Sequence, residues 1–483
     1  MNMKKYFIVF FVLIILVSFG YVLFGNGIYN YINKDYDVLN TDDYNGVDIN
    51  KLDRYNIDLT FYPQEKYCSV KQEVSYINKE NITLNKIFFH LYPNAFRKNR
   101  MFIGDKKVED KDYEPGYIEF TSIKIDESNL KYNILESDQT ILEVELDQEV
   151  KPGDRINLIM DYKLVIPKIE HRFGYGPNTF NFGNWYPIAV VYDEYGWNTK
   201  KYFQIGDPFY SDVSNYKIKI ETPENYIIAT SGKIVDTKNE NNKTEWIIEA
   251  NLIRDFAWVA SDKFNVETHN LKDTQIKLYF LNNNSDLKKY TENISVEAIK
   301  IFNNVFGQYP YGYLSIVEND FLGGGMEYPT LIYLNNDYFN SNRKIYLSEY
   351  IVHELAHQWW YGVVGNNQIK DPWLDEGLAT YSQIIFNDQY RGERYADNVF
   401  RILMNNYQVN SNSKEYSASI EDFNTWKEYS SSAYGKGAEF LYLIEKEYGE
   451  DILYELLKTY YNKYRFKNAE TKDFLELYES MLN

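Results

Sequence analysis

Polar and apolar residues alternate along much of the first half of the chain. In Leu142-Glu143-Val144-Glu145-Leu146 and Lys217-Ile218-Lys219-Ile220 the period is two, which sends successive side chains to opposite faces of a sheet. Turn chemistry punctuates these runs: Lys151-Pro152-Gly153-Asp154 separates two of them, and the polar stretch 238–243 precedes another. The pattern predicts an antiparallel, all-β domain over residues 51–265. Beyond about residue 266 the period lengthens. Ala298, Ile301, Phe302 and Val305 fall at i, i+3, i+4 and i+7, the stripe of an amphipathic helix. Residues 343–363, 372–390, 394–407 and 436–480 also read as largely helical, with a few short strands between Tyr313 and Leu334. The expected class is therefore α+β and multidomain, with a β-sheet domain over 51–265 and a mostly helical domain over 266–483.

The N-terminus follows neither pattern. After Lys4 and Lys5, the 19 residues from Tyr6 to Phe24 carry no charge. As a helix they span about 29 Å, close to the thickness of a bilayer's hydrocarbon core. Lysines on the cytoplasmic side would place the rest of the chain outside. Residues 1–25 are thus expected as a single-pass membrane anchor with the body outside the cell. A cleaved signal peptide, marked by Ser18 and Gly20, is the alternative and would give a secreted protein. The acidic, Asn- and Tyr-rich stretch 26–50 reads as a tether.

Charge and cysteine content narrow the chemistry. With 51 Lys and Arg against 70 Asp and Glu, the net charge of −19 argues against a nucleic acid partner, because such binding runs on cationic side chains that displace counterions. The single cysteine, Cys68, excludes an intrachain disulfide and a Cys-built zinc site. Only five histidines are present, at positions 90, 171, 269, 353 and 357. His90, His171 and His269 have no spaced partners and read as structural.

The other two lie in His353-Glu354-Leu355-Ala356-His357, inside a helical pattern whose apolar line is Leu347, Ile351 and Leu355. A spacing of four stacks the imidazoles so that both can face one ion. A catalytic zinc takes three protein ligands and keeps a fourth position for water. Asp371-Pro372-Trp373-Leu374-Asp375-Glu376 can supply the third: Asp371 suits a helix cap, Pro372 the first helical position, and Glu376 lies one turn in. Asp375 projects about 100° away round the helix, which favours Glu376.

These residues resemble a known signature. His353-Glu354-x-x-His357 followed by Glu376 is similar to the gluzincin motif, and HELAHQWW and WLDEGLA resemble the aminopeptidase N family, peptidase family M1. Gly324-Gly325-Met326-Glu327-Tyr328 resembles that family's Gly-x-Met-Glu-Asn exopeptidase motif. Tyr434 in Tyr434-Gly435-Lys436-Gly437 matches its catalytic tyrosine, and FHLYPNAF at 89–96 is similar to its N-terminal domain. The resemblance implies a saddle-like β domain followed by a thermolysin-like catalytic domain. It also implies one Zn2+ per chain on His353, His357 and Glu376, Glu354 as general base, and Tyr434 as a donor to the developing oxyanion. Glu327 would bind the α-ammonium of a peptide with a free N-terminus, and the glycines 323–325 would let backbone approach the substrate. Thr380, one turn beyond Glu376, reads equally as an orienting or a packing residue.

The chain departs from the family in three respects. Tyr328 stands where the motif usually has Asn. The upstream glutamate that serves relatives as a second amine anchor has no match, the sequence around Asn184-Trp185-Tyr186-Pro187 being different. Only 49 residues follow Tyr434, so a short form is expected, without the large helical C-terminal domain and with a more open cleft. The function expected is an exported zinc aminopeptidase. A zinc endopeptidase and a non-catalytic surface protein that retains the fold are the alternatives.

Overall fold

The computed structural model describes residues 36–98, 102–103, 106–107, 113–135 and 138–482. The expected anchor, residues 1–25, and the first part of the expected tether lie outside the described residues. Alternation becomes burial directly: along Arg54–Tyr62, Tyr55, Ile57, Leu59 and Phe61 are buried while Arg54, Asn56 and Asp58 face water. An eight-stranded sheet runs in the order Lys233–Glu240, Lys243–Ile253, Ser214–Pro223, Arg54–Tyr62, Tyr67–Ile77, Arg155–Val165, Tyr117–Ile125 and Ser128–Asn129. Two four-stranded sheets and two two-stranded ones complete this half among the described residues. One pairing corrects the expectation of a wholly antiparallel domain, because Arg54–Tyr62 runs parallel to Ser214–Pro223. Strands so distant in the chain are joined by a long crossover, which imposes no antiparallel turn.

Residues 38–50 also differ from expectation. They are no free tether: Leu39 bridges to Tyr311, the Asn40 side chain donates to Tyr311 O at 2.8 Å, and that of Asn45 donates to Lys463 O at 2.9 Å. Val38, Leu39, Tyr44 and Val47 supply the apolar contacts that hold this stretch down.

The second half opens with strands. β1 (Asn265–Leu271) and β2 (Thr274–Phe280) form a hairpin, and the first helix, α1 (Ser285–Val305), starts where the Asn284 side chain accepts from Asp286 N and Leu287 N. With β3 (Tyr313–Asn319), β4 (Gly325–Met326) and β5 (Leu331–Asn335) the sheet order is β1-β2-β3-β5-β4. β4 is therefore an edge, antiparallel to β5.

α2 (Lys344–Ala356) carries the first histidine and α3 (Trp373–Arg391) the Asp375-Glu376 pair. α4 (Glu393–Asn406), α5 (Gly437–Tyr448), α6 (Glu450–Tyr464) and α7 (Thr471–Leu482) follow. α2 stops seven residues short of the predicted 363. The chain there turns through Tyr361 at φ +108°, a conformation that is strained for a bulky residue, and the buried Arg254 guanidinium holds the Tyr361 carbonyl at 2.8 Å. Asp371 caps no helix; its side chain accepts from Thr471 Oγ1 at 2.6 Å. One continuous apolar core runs through both halves of the body.

Candidate metal centre

α3 is buried on nearly every side from Trp373 to Asn387, so polar groups on it must be paired within the protein. Glu376 projects from its first turn towards α2, where His353 and His357 lie one turn apart. The three converge. His353 Nε2 and His357 Nε2 are 3.1 Å apart, and Glu376 Oε2 lies 3.2 Å from the first and 3.4 Å from the second. Tetrahedral zinc with bonds of about 2.0–2.2 Å holds its ligand atoms about 3.3–3.5 Å apart. The triangle fits that ion.

The outer contacts fix the chemistry of each donor. His353 Nδ1 donates to Gln383 Oε1 at 3.2 Å, while His357 Nδ1 faces Asp375 Oδ1 at 2.5 Å and Trp360 O at 3.2 Å. With the ring proton on Nδ1, each Nε2 keeps a lone pair, and three acceptors face one point, an arrangement that demands a cation. Charge states agree. Burial works against ionised Glu376, yet the two imidazoles hold its pKa down at about 2. His357 is the exception: burial opposes its imidazolium, but Asp375 and Glu327 outweigh that and lift its pKa well above the ordinary value, so an ion has to displace a proton from Nε2 to bind there.

Around this triangle lie the other residues singled out from the sequence. Glu354 is buried with Oε2 unpartnered, and burial pushes its carboxyl well above the carboxylate range. Glu327 follows edge strand β4; it is 3% exposed, its Oε1 has no partner, and burial raises it likewise. One of its oxygens, a His357 nitrogen and an Asp375 oxygen all lie within 4.8 Å of one another. Tyr434 sits in a π-helical segment, Ser430–Lys436, and its hydroxyl donates to Glu376 Oε1 at 2.6 Å. Its ring lies nearly parallel to that of His353, 5.7 Å away. Gly377 on α3 and Gly437 admit this approach, since a Cβ on either would stand 2.8 Å from the other's Cα. Met326, the second residue of β4, is buried. The glycines face protein side chains: a Cβ on Gly324 would meet the Tyr350 ring at 2.1 Å, and one on Gly325 would meet Glu354 Cγ at 2.4 Å. Thr380 is fully buried.

Several participants escaped the sequence. The direction of Asp375 round the helix points it away from a ligand role, yet it meets His357 at Nδ1, the ring nitrogen that does not face the triangle. Gln383, seven residues after Glu376, shares its helix face, a spacing that could have flagged it. The buried pair Arg172–Asp207, at 2.6 Å, comes from the β half, with Asp207 close enough to Glu376 and Glu327 to raise the pKa of Glu327; no local pattern marks it. His90, His171 and His269 lie elsewhere, the first two buried against aromatic rings and the third paired with Glu292.

Comparison with known proteins agrees with this geometry. Residues 290–483 match the family model described as the Peptidase family M1 domain. Aminopeptidase 2 of Candida albicans is 27% identical over 240 residues, covering 47% of this chain and 25% of that protein. The alanine/arginine aminopeptidase of Saccharomyces cerevisiae is 25% identical over 284 residues, covering 56% and 31%. The chain thus spans about a quarter to a third of the length of these curated relatives. Among solved structures, an M1 zinc metallopeptidase from Deinococcus radiodurans superposes with a TM-score of 0.64 over 90% of each chain at 16% identity, a likeness of fold.

Proposed function

We propose that this chain, which carries a peptidase family M1 domain over residues 290–483, is a zinc aminopeptidase that removes N-terminal residues from peptides. Glu327 carries the reading. A buried carboxylate with a free oxygen, set beside a zinc ligand, wants a cation, and a peptide's α-ammonium supplies one. The edge of β4 offers backbone groups to an extended peptide, whose first peptide bond then lies over the triangle. A charge-assisted contact is worth roughly 1.5–3 kcal/mol, a preference for a free N-terminus of about 10- to 150-fold.

Zinc held by His353, His357 and Glu376 would supply a Lewis acid for the scissile carbonyl and would lower the pKa of a water to about 7. Glu354 would take a proton from the attacking water on its unpartnered Oε2 and pass it to the leaving amine. Burial keeps the Tyr434 hydroxyl protonated, so it can turn its hydrogen from Glu376 to the carbonyl oxygen as negative charge builds there. His353 and His357 hold still, fixed from behind by Gln383 and by Asp375 and Trp360.

The test compares one peptide with a free and with an acetylated N-terminus, each with and without a chelator, read by mass spectrometry. Chelator-sensitive removal of the first residue from the free peptide alone is expected. Equal cleavage of both overturns the exopeptidase reading in favour of an endopeptidase, and no cleavage of either favours a non-catalytic protein.

Export and anchoring belong to the same proposal, supported by Lys4, Lys5 and the apolar run Tyr6–Phe24. That run lies outside the described residues; among those described, no helix is long and apolar enough to cross a membrane. Protease added to intact cells should remove the domain from the membrane fraction, and a protected soluble pool would overturn the placement.

A further inference from the structure

Glu327 is held through its neighbours, and the way Tyr328 is anchored bears on its aim. On one side Met326 pairs with Tyr333 in the sheet. On the other, the Tyr328 carbonyl accepts from Gln358 Nε2 at 3.1 Å, while Gln358 Oε1 accepts from Thr330 N at 2.7 Å. Gln358 directly follows the zinc ligand His357, so this clamp ties the strand end to the metal helix. The side chain of Tyr328 is fully buried. Its hydroxyl donates to Asn184 Oδ1 at 2.8 Å, and Asn184 Nδ2 donates to Asp255 Oδ2 at 2.5 Å. Asp255 Oδ1 accepts from the Tyr186 hydroxyl at 3.1 Å and from Phe256 N at 2.7 Å. The ring has room only because residue 183 is glycine, since a Cβ there would stand 1.8 Å from the Tyr328 oxygen. Asn184 itself sits at φ +51°, a left-handed conformation that Asn tolerates.

We propose that Tyr328 and Asn184 are a positioning pair that fixes the Glu327 carboxylate relative to the metal, and so sets how strongly the enzyme prefers a free N-terminus; this rests on the aminopeptidase reading above. Residue 327 lies between Met326, paired in the sheet, and Tyr328, whose carbonyl is tied to the residue after His357 and whose hydroxyl is tied to the β half. Freeing the hydroxyl lets the strand end rock about the Gln358 clamp, which displaces the carboxylate while leaving the metal triangle intact. The contact with the ammonium exists before and during the reaction, so its loss appears in KM more than in kcat.

The experiment measures kcat and KM on the free peptide, and kcat/KM on its acetylated form, for Tyr328→Phe, Asn184→Ser and the double variant, with zinc content and unfolding temperature as controls. Each single variant should raise KM on the free peptide about 10-fold, the low end for a lost charge-assisted contact, and keep kcat within about 3-fold. The preference over the acetylated peptide should narrow by the same factor. The double variant should lose no more than either single one, because both remove one contact. Asn184→Ser leaves the tyrosine in place and decides the matter should Tyr328→Phe fail to fold. Parallel losses on both peptides, or an unchanged preference, would mark the pair as structural and overturn the proposal. A native chain that cleaves neither peptide would overturn the aminopeptidase reading itself, and this inference with it.

Discussion

The contact between His357 and Asp375 gives the sharpest test of how the metal is held. Asp375 is buried, with Oδ1 at 2.5 Å from His357 Nδ1 and Oδ2 accepting from the Gln368 amide. Asp375→Asn keeps the shape but has one acceptor for two donors. Turned one way, its amide NH2 confronts His357 Nδ1, whose proton is left with the Trp360 carbonyl alone; turned the other way, it confronts Gln368. The change also removes a buried negative charge that offsets the cation. Losing such an outer partner costs about 10- to 100-fold in metal affinity, or roughly 1.4–2.7 kcal/mol, and the missing charge places Asp375→Asn towards the upper end. Gln383→Ala is the internal comparison, because it strips a neutral partner at 3.2 Å from His353 and should fall near the lower end. Zinc affinity is read by competition with a chromophoric chelator at neutral pH, with unfolding at saturating zinc to certify the fold. Asp375→Asn affinity within twofold of the native chain, or a larger loss for Gln383→Ala, would refute the assignment of Asp375 as the anchor of His357.

Three further outcomes are expected. Glu354→Gln should bind one zinc per chain and lose about 100- to 10,000-fold in kcat; hydrolysis at the native rate would remove the base from Glu354. Tyr434→Phe deletes the hydroxyl that reaches Glu376 and should cost about 3–4 kcal/mol in the barrier, seen in kcat with metal content unchanged; a loss confined to zinc binding would make the tyrosine a mere ligand support. Glu318, on β3, is raised from 4.5 to about 7, because burial outweighs the three N–H donors of Leu281 and Asn282 on its Oε2. The folded chain then holds a proton that the unfolded chain releases, so stability falls as pH rises from about 4.5 to 7 and levels off above. Glu318→Gln keeps the acceptor without the charge, and its advantage in urea unfolding should grow across that window to about 3 kcal/mol; a difference independent of pH would refute the shift.

What could be seen in the sequence was whatever is encoded over one or two turns. The alternation in Arg54–Tyr62 and the i, i+4 pair His353 and His357 specify faces, and faces survive folding whatever packs against them. The predicted helix to 363 failed because the turn after Ala356 is imposed from outside: Arg254, more than a hundred residues upstream, grips the carbonyls of Tyr361 and Val363. Residues 38–50 looked like a tether because their acidic, Asn-rich composition hides the few apolar contacts that hold them to the second half. Asp375 was discounted by a sound rule, that neighbours on a helix point about 100° apart, applied to the wrong question. An imidazole has two nitrogens on different sides, so one turn of α3 can offer the ion a ligand through Glu376 and reach round the ring with Asp375. The metal's donors are thus a local property of two helices, whereas the β half bears on Glu327 from outside, Asp207 through its charge and Asn184 through Tyr328, with Arg172 and Asp255 as their partners. A change in those four residues could therefore alter which peptides are accepted while the metal triangle stays as it is, and chemistry and selectivity can be varied separately in this fold.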